Sequence, residues 1–166
     1  LRDKFDLLSP RCPDAEWHFI GHLQKNKIKY VVGRATLVHT IDSISLASAL
    51  DGYIDRTGQD PIGVLAQVKL GQDPNKTGCT PENLFDLCTH IHNSKHLTLK
   101  GLMNIPPQEG PPEKWFSAIA KLGEKGKEAG FPLDILSMGM SGDLEEAIAC
   151  GATIIRVGSF IYQPKT

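Results

Sequence analysis

The sequence has no C-x-x-C pair among its four cysteines, Cys12, Cys79, Cys88 and Cys150. That excludes the common zinc and redox dithiol patterns, and it predicts reduced, buried or half-buried thiols of the kind cytosolic proteins carry. His18 and His22, and the looser group His90, His92 and His96, come without the Cys or carboxylate partners of a zinc pattern, so no metal site is expected. No apolar run approaches the ~18 residues that span a bilayer. The first residues, LRDKFDLLSPRCPD, lack the apolar core of a secretory signal, and a cytoplasmic protein is expected. They also lack an initiator Met, so a chain that starts within a longer protein is expected. Charge of one sign is missing too. Eighteen Lys and Arg stand against nineteen Asp and Glu, a net charge of −1, which offers no electrostatic footprint for nucleic acid or an anionic membrane. No G-x-G-x-x-G opens any helix, which leaves a dinucleotide-binding sheet unsupported.

What is present is alternation. At 166 residues with 40% hydrophobic content, the chain suits a single domain, residues 1–166, with a sizeable core. Apolar, β-branched runs occur at 16–22, 36–41, 62–70, 97–105, 133–138 and 153–158. Most are nearly continuous, as expected for parallel strands covered on both faces. Amphipathic runs fall between them. In 43–55, Ile44, Ala47, Leu50 and Ile54 share a face behind Asp42 or Ser43 as N-cap. In 81–92 the stripe is Leu84, Leu87, Cys88 and Ile91, with Thr80 as cap and Pro81 in first position. In 113–129 it is Trp115 or Phe116, Ile119 and Leu122, closed by Gly130. In 142–150, Ser141 caps, Leu144, Ala147 and Ile148 face inward, and Gly151 follows the end. A short helix is expected over 25–33.

Six strands with five intervening helices predict an α/β fold with a parallel sheet. Two architectures compete: an open doubly wound sheet, and a parallel (β/α)8 TIM-type barrel with about six of its eight units present. A complete barrel runs to about 250 residues.

In a barrel, chemistry sits at the C-terminal strand ends, with phosphate often held by the last two loops. Here those loops read SMGMSGD (137–143) and RVGS (156–159). Glycine lets backbone N–H groups approach an anion, and serine adds a neutral donor. Ser137, Gly139, Ser141, Gly158 and Ser159 therefore form a candidate phosphate cradle, although the same residues also make ordinary caps and turns. Asp143, Glu145 and Glu146 would repel an anion over the helix after 137–141, which favours the Gly158–Ser159 turn. Arg156 interrupts the apolar run TIIRVGS, which calls either for an internal salt bridge or for a ligand contact. His18, in WHFIGHLQKNK (17–27), is either a satisfied core histidine or a site residue.

The blocks WHFIGHLQKNK (17–27), QVKLGQDPNKTG (67–78), GLMNIPP (101–107), LSMGMSGDLEEAI (136–148) and IRVGSFIY (155–162) together resemble the pyridoxal-phosphate homeostasis family (YggS/PROSC type), and they occur in family order. The resemblance implies the barrel of the alanine racemase N-terminal domain, with the first two units, including the Schiff-base lysine, outside this chain. It implies pyridoxal 5'-phosphate as cofactor. Arg156 would face the pyridine nitrogen; Ser137 or Ser141, with Gly158 and Ser159, would hold the phosphate; His18, Asn26 and Met103 would line or support the pocket. Lys69 lies in the fifth-strand block and does not match the lysine position. The ending FIYQPKT departs from the family pattern. A monomeric, non-catalytic carrier or regulator of the cofactor is the implied function. A weak racemase-like enzyme and a cofactor-independent phosphate-ester binder are the alternatives.

Overall fold

The computed structural model describes residues 2–71 and 76–162. Residues 72–75 of the QVKLGQDPNKTG block and 163–166 of the C-terminal ending lie outside the described residues. Helix α1 (Arg2–Leu8) precedes strand β1 (His18–Phe19), and a 3-10 helix, Lys25–Tyr30, leads to β2 (Leu37–Ile41). Then follow α2 (Ile44–Thr57), β3 (Ile62–Gln67), a 3-10 turn (Pro81–Asn83) running into α3 (Leu84–His92), and β4 (Leu97–Met103). The remaining elements are α4 (Pro112–Glu128), β5 (Ile135–Met140), α5 (Leu144–Ala149), β6 (Ile154–Arg156) and α6 (Ser159–Tyr162).

All neighbouring strands pair in parallel, in the order β1-β2-β3-β4-β5-β6. That order decides between the two expected architectures. A doubly wound sheet reverses its strand order at a switch point, whereas a barrel winds steadily one way. The chain forms six consecutive units of barrel winding, as an open, curled part-barrel whose end strands β1 and β6 do not pair with each other.

The large core lies between the sheet and its helices. In α2, Leu46, Ala47, Leu50 and Ile54 are buried, and Ser43 caps the helix by accepting from the Leu46 N–H at 3.3 Å. Ile44, expected on that face, is 45% exposed, and Leu46 takes its place. The α3 stripe Leu84, Leu87, Cys88 and Ile91 is buried as its spacing implies. In α4, Phe116 and Ile119 are buried, Leu122 is half-buried against the same core, and the buried stripe continues through Gly123 and Gly126. A Cβ on Gly126 would stand 2.2 Å from Leu133 Cδ1, so the helix lies close against the segment that leads into β5, and a larger residue would force Leu133 to move. Ser141 does not cap α5. That helix begins later, with Asp143 in the N-cap position, and Ile148 faces outward. Burial pushes the Cys79 and Cys88 thiols up to about 12, while Cys12 is exposed. Among the described residues no helix is long and apolar enough to cross a membrane, and no group of three His, Cys, Asp or Glu is placed to hold a metal ion.

Strand β4 fits its neighbour only because of a glycine. Gly101 pairs with Ile135, and a Cβ there would lie 1.9 Å from the Ile135 carbonyl oxygen. Gly101→Ala is expected to lower unfolding free energy by about 1–3 kcal/mol or more, as overpacking of a fixed backbone does. Urea denaturation followed by circular dichroism checks this; an unchanged midpoint would show that β4 and β5 can separate at little cost.

Candidate functional site

Side chains two residues apart on a strand share a face. On the concave face this places Leu37, Leu65, Ile135 and Ile154 one step below His39, Gln67, Ser137 and Arg156. Leu37, Leu65 and Met103 form a small apolar cluster of their own, with Ile135 and Ile154 packed against it. The polar residues above it lie towards the C-terminal ends of the strands, and there a cavity of about 610 Å³ opens. His18, His39, Ser141, Arg156, Gly158 and Ser159 line it, with an apolar wall that includes Ile20, Ile105 and Met140.

Arg156 organises the floor. Its Nη1 donates to Ser137 Oγ at 3.0 Å and its Nη2 donates to the Asn104 carbonyl at 3.0 Å. Neither acceptor is charged, and no carboxylate among the described residues pairs with the guanidinium. The expected choice between a salt bridge and a ligand contact is therefore narrowed: the half-buried cation has no counter-ion in contact. Burial lowers the Arg156 pKa from its ordinary value, and the Asp143 charge opposes that shift. Arginine nevertheless stays protonated at any ordinary pH.

Ser137 is fully buried between Arg156 and His39, whose Nδ1 lies 2.8 Å from Ser137 Oγ. His39 Nε2 lies 3.1 Å from His18 Nδ1. Burial, with the neighbouring His18 and Arg156 adding to it, lowers the His39 pKa from 6.5 to about 4, so His39 is neutral at neutral pH. Outside it, His18 Nε2 is 3.7 Å from Glu16 Oε2, too long for a hydrogen bond.

The loops behave unevenly. After β5 the chain turns at Gly139, φ 86°, where a Cβ would lie 2.5 Å from Ala147 Cβ. Asp143 Oδ1 accepts from the Met140 N–H at 2.6 Å, so that carboxylate occupies the backbone donor an anion would need. Ser141 Oγ accepts from the Gly158 N–H at 3.4 Å and ties the last two loops together. A Cβ on Gly158 would meet nothing within 4 Å, and its backbone φ is not positive, so its small size leaves room in the cavity.

Of the residues singled out from the sequence, His18, Ser141, Arg156, Gly158 and Ser159 come together around one cavity, and Ser137 supports its floor. Met103 is fully buried in the apolar cluster beneath. Asn26 is exposed on the 3-10 helix and is not among the lining residues. Two residues escaped sequence reasoning. His39 sits inside the apolar run TLVHTI and gives the same signal that drew attention to Arg156. Asn104 is buried; it donates through Nδ2 to the Val68 carbonyl at 2.9 Å, and its Oδ1 has no partner. It receives Arg156 through a main-chain oxygen, which no side-chain pattern announces.

The depressed His39 pKa has a consequence for stability. Between about 6.5 and about 4 the unfolded chain binds a proton at this residue while the folded chain does not. Stability is therefore full above that window and falls as pH drops through it, by on the order of 2–3 kcal/mol from this group. Denaturant titrations at pH 7, 6, 5 and 4 are expected to show a smaller loss across the window in His39→Gln than in the unsubstituted chain. Equal losses would mean that His39 is protonated in the fold.

Three comparisons bear on this geometry. The family described as alanine racemase, N-terminal domain, matches residues 7–165. The pyridoxal phosphate homeostasis protein of Aquifex aeolicus is 39% identical over 155 residues, covering 90% of this chain and 67% of that protein. The protein of the same name from Haemophilus influenzae is 38% identical over 165 residues, covering 96% and 69%. Among solved structures, PipY of Synechococcus elongatus, determined with pyridoxal phosphate (PLP) bound, superposes with a TM-score of 0.83 at 30% identity, covering 98% of this chain and 78% of PipY. An alanine racemase of Clostridium difficile shares the fold alone, with a TM-score of 0.69 at 13% identity. The steady barrel winding, the five ordered sequence blocks and these likenesses agree: the chain belongs to the pyridoxal phosphate homeostasis protein family, built on the alanine racemase N-terminal domain.

Proposed function

We propose that this chain binds pyridoxal 5'-phosphate in the cavity at the C-terminal strand ends and acts in regulating the level of that cofactor, and with it amino-acid and keto-acid balance, as a carrier without turnover of its own. The observation that carries this reading is the Arg156 guanidinium, half-buried at the cavity floor and held, among the described residues, by neutral acceptors. A cation so placed favours an acceptor-rich or anionic occupant.

The lining suits such a ligand in part. Ser141 and Ser159 offer small neutral hydroxyls for a phosphate, and Gly158, whose N–H donates to Ser141 Oγ, leaves room beside them. Arg156 can donate to a pyridine nitrogen but cannot protonate it. The apolar wall suits the ring. Among the described residues no lysine lines this cavity; Lys100 lines a lower part of the concave groove and Lys76 a neighbouring cavity. When bound, pyridoxal phosphate supplies a reactive aldehyde and an electron-accepting ring. An acid beside the ring nitrogen strengthens that electron demand, and an arginine leaves the nitrogen neutral. That difference supports holding over catalysis.

The chain is expected to bind pyridoxal phosphate reversibly, with an absorbance that borohydride does not fix to the protein. Arg156→Ala should weaken binding about 10- to 100-fold, the range for losing a hydrogen bond to a charged group. Titration by absorbance and fluorescence measures both; unchanged affinity would remove Arg156 from the site. Gly158→Ala should weaken binding with the melting temperature unchanged, whereas Gly139→Ala should lower the melting temperature, because its φ and its contact with Ala147 both forbid a side chain. A Gly158→Ala variant that binds normally would place the phosphate elsewhere.

A further inference from the structure

We propose that His39 is a positioning residue for Arg156: it accepts the Ser137 hydroxyl at Nδ1, carries its own hydrogen on Nε2, and so keeps the Ser137 lone pairs turned to the guanidinium. The assignment rests on the reading of Arg156 as a ligand contact only for its functional meaning; the hydrogen order follows from the geometry alone.

A guanidinium can donate and cannot accept. The bond from Arg156 Nη1 to Ser137 Oγ at 3.0 Å therefore has one possible direction. Among the described residues, Ser137 Oγ has one other hydrogen-bond neighbour, His39 Nδ1 at 2.8 Å. The serine is fully buried, so a hydroxyl hydrogen pointed anywhere else would be an unmatched donor. It goes to Nδ1, which must then be bare. A neutral imidazole carries one hydrogen, now on Nε2, and His18 Nδ1 stands 3.1 Å away to receive it. His18 in turn has an acceptor at Nδ1 and presents Nε2 towards Glu16. The bonds run one way, Arg156 to Ser137 to His39 to His18, and each donation strengthens the next. Burial, which keeps His39 neutral, supports the same order.

The result is a guanidinium anchored on the sheet side by two acceptors, Ser137 Oγ and the Asn104 carbonyl, with its remaining N–H donors left for the cavity. Without an acceptor at His39, the Ser137 hydroxyl has no fixed rotor, and one of the two anchors loosens.

Ring-nitrogen NMR on the ligand-free chain with 15N-labelled histidine at pH 7.5 tests the order. The expected signature for His39 is a pyridine-type Nδ1 and a pyrrole-type Nε2, and Ser137→Ala should shift it to a mixture of tautomers. A pyrrole-type Nδ1 in the unsubstituted chain would overturn the proposal. Exchange of the Arg156 Nη hydrogens tests positioning without any ligand. His39→Leu should speed it about five- to tenfold, as expected when one buried hydrogen bond is lost, and His39→Asn, whose side-chain oxygen can accept near the Nδ1 position, should restore slow exchange. Equal exchange in the Leu variant, with its circular dichroism spectrum intact, would also overturn the proposal. Pyridoxal phosphate titration of the same variants then separates the two readings. No binding by the unsubstituted chain would sink the cofactor reading and leave the hydrogen order to the NMR result.

Discussion

The site depends on a positive charge that the fold partly withdraws from water and does not neutralise. Arg156 gives up solvent on β6, yet the groups that touch it are a hydroxyl and a carbonyl. Such an arrangement costs solvation without the return of an ion pair. The surrounding structure offsets that cost with two well-placed acceptors, a neutral histidine behind one of them, and an opening through which water or a ligand can reach the remaining donors. Removing any one of these would leave a poorly solvated charge. The imidazole next door is held uncharged chiefly by its own burial, to which His18 and then the nearby guanidinium add.

The fold places these groups by simple periodicity. On β2, β3, β5 and β6, alternate residues point to the concave side, apolar below and polar above. The lower set packs as a small core, and the upper set carries the chemistry at the strand ends, where parallel α/β folds place their sites. The outer face is occupied by the larger core, in which aliphatic side chains of α2 and α3 and the glycine face of α4 close on the sheet.

Much of this could be read from the residues. The runs that became β2 to β5 were apolar because both their faces are covered, and the α3 stripe kept a strict helical spacing. Arg156 stood out because a charge inside an apolar strand is costly. Other parts could not be read this way. The run 16–22 narrowed to the two-residue strand β1, which has a neighbour on one side only. Ile44 and Ile148 satisfied a helical pattern but turned to solvent, because where a helix begins rotates its face by far more than the pattern can resolve. Ser141 is a good cap by type, but α5 starts two residues later, with Asp143 in the N-cap position and its carboxylate turned to the Met140 N–H. Asn26 belongs to the motif that most clearly marked the family, yet motif membership does not say which way a side chain on a 3-10 turn will face.

Asn104 directly follows β4 and touches three neighbours at once. Its side chain reaches the backbone after β3, its N–H meets the Ser137 carbonyl on β5, and its own carbonyl takes the Arg156 hydrogen from β6. One residue thus works as a mechanical junction across four strands. The Val68 carbonyl after β3, the Ser137 carbonyl on β5 and the guanidinium on β6 are thus linked through one residue by three hydrogen bonds. Val68, the first residue after β3, is thereby joined to the guanidinium by a mechanical link of two hydrogen bonds, although the two are far apart in sequence.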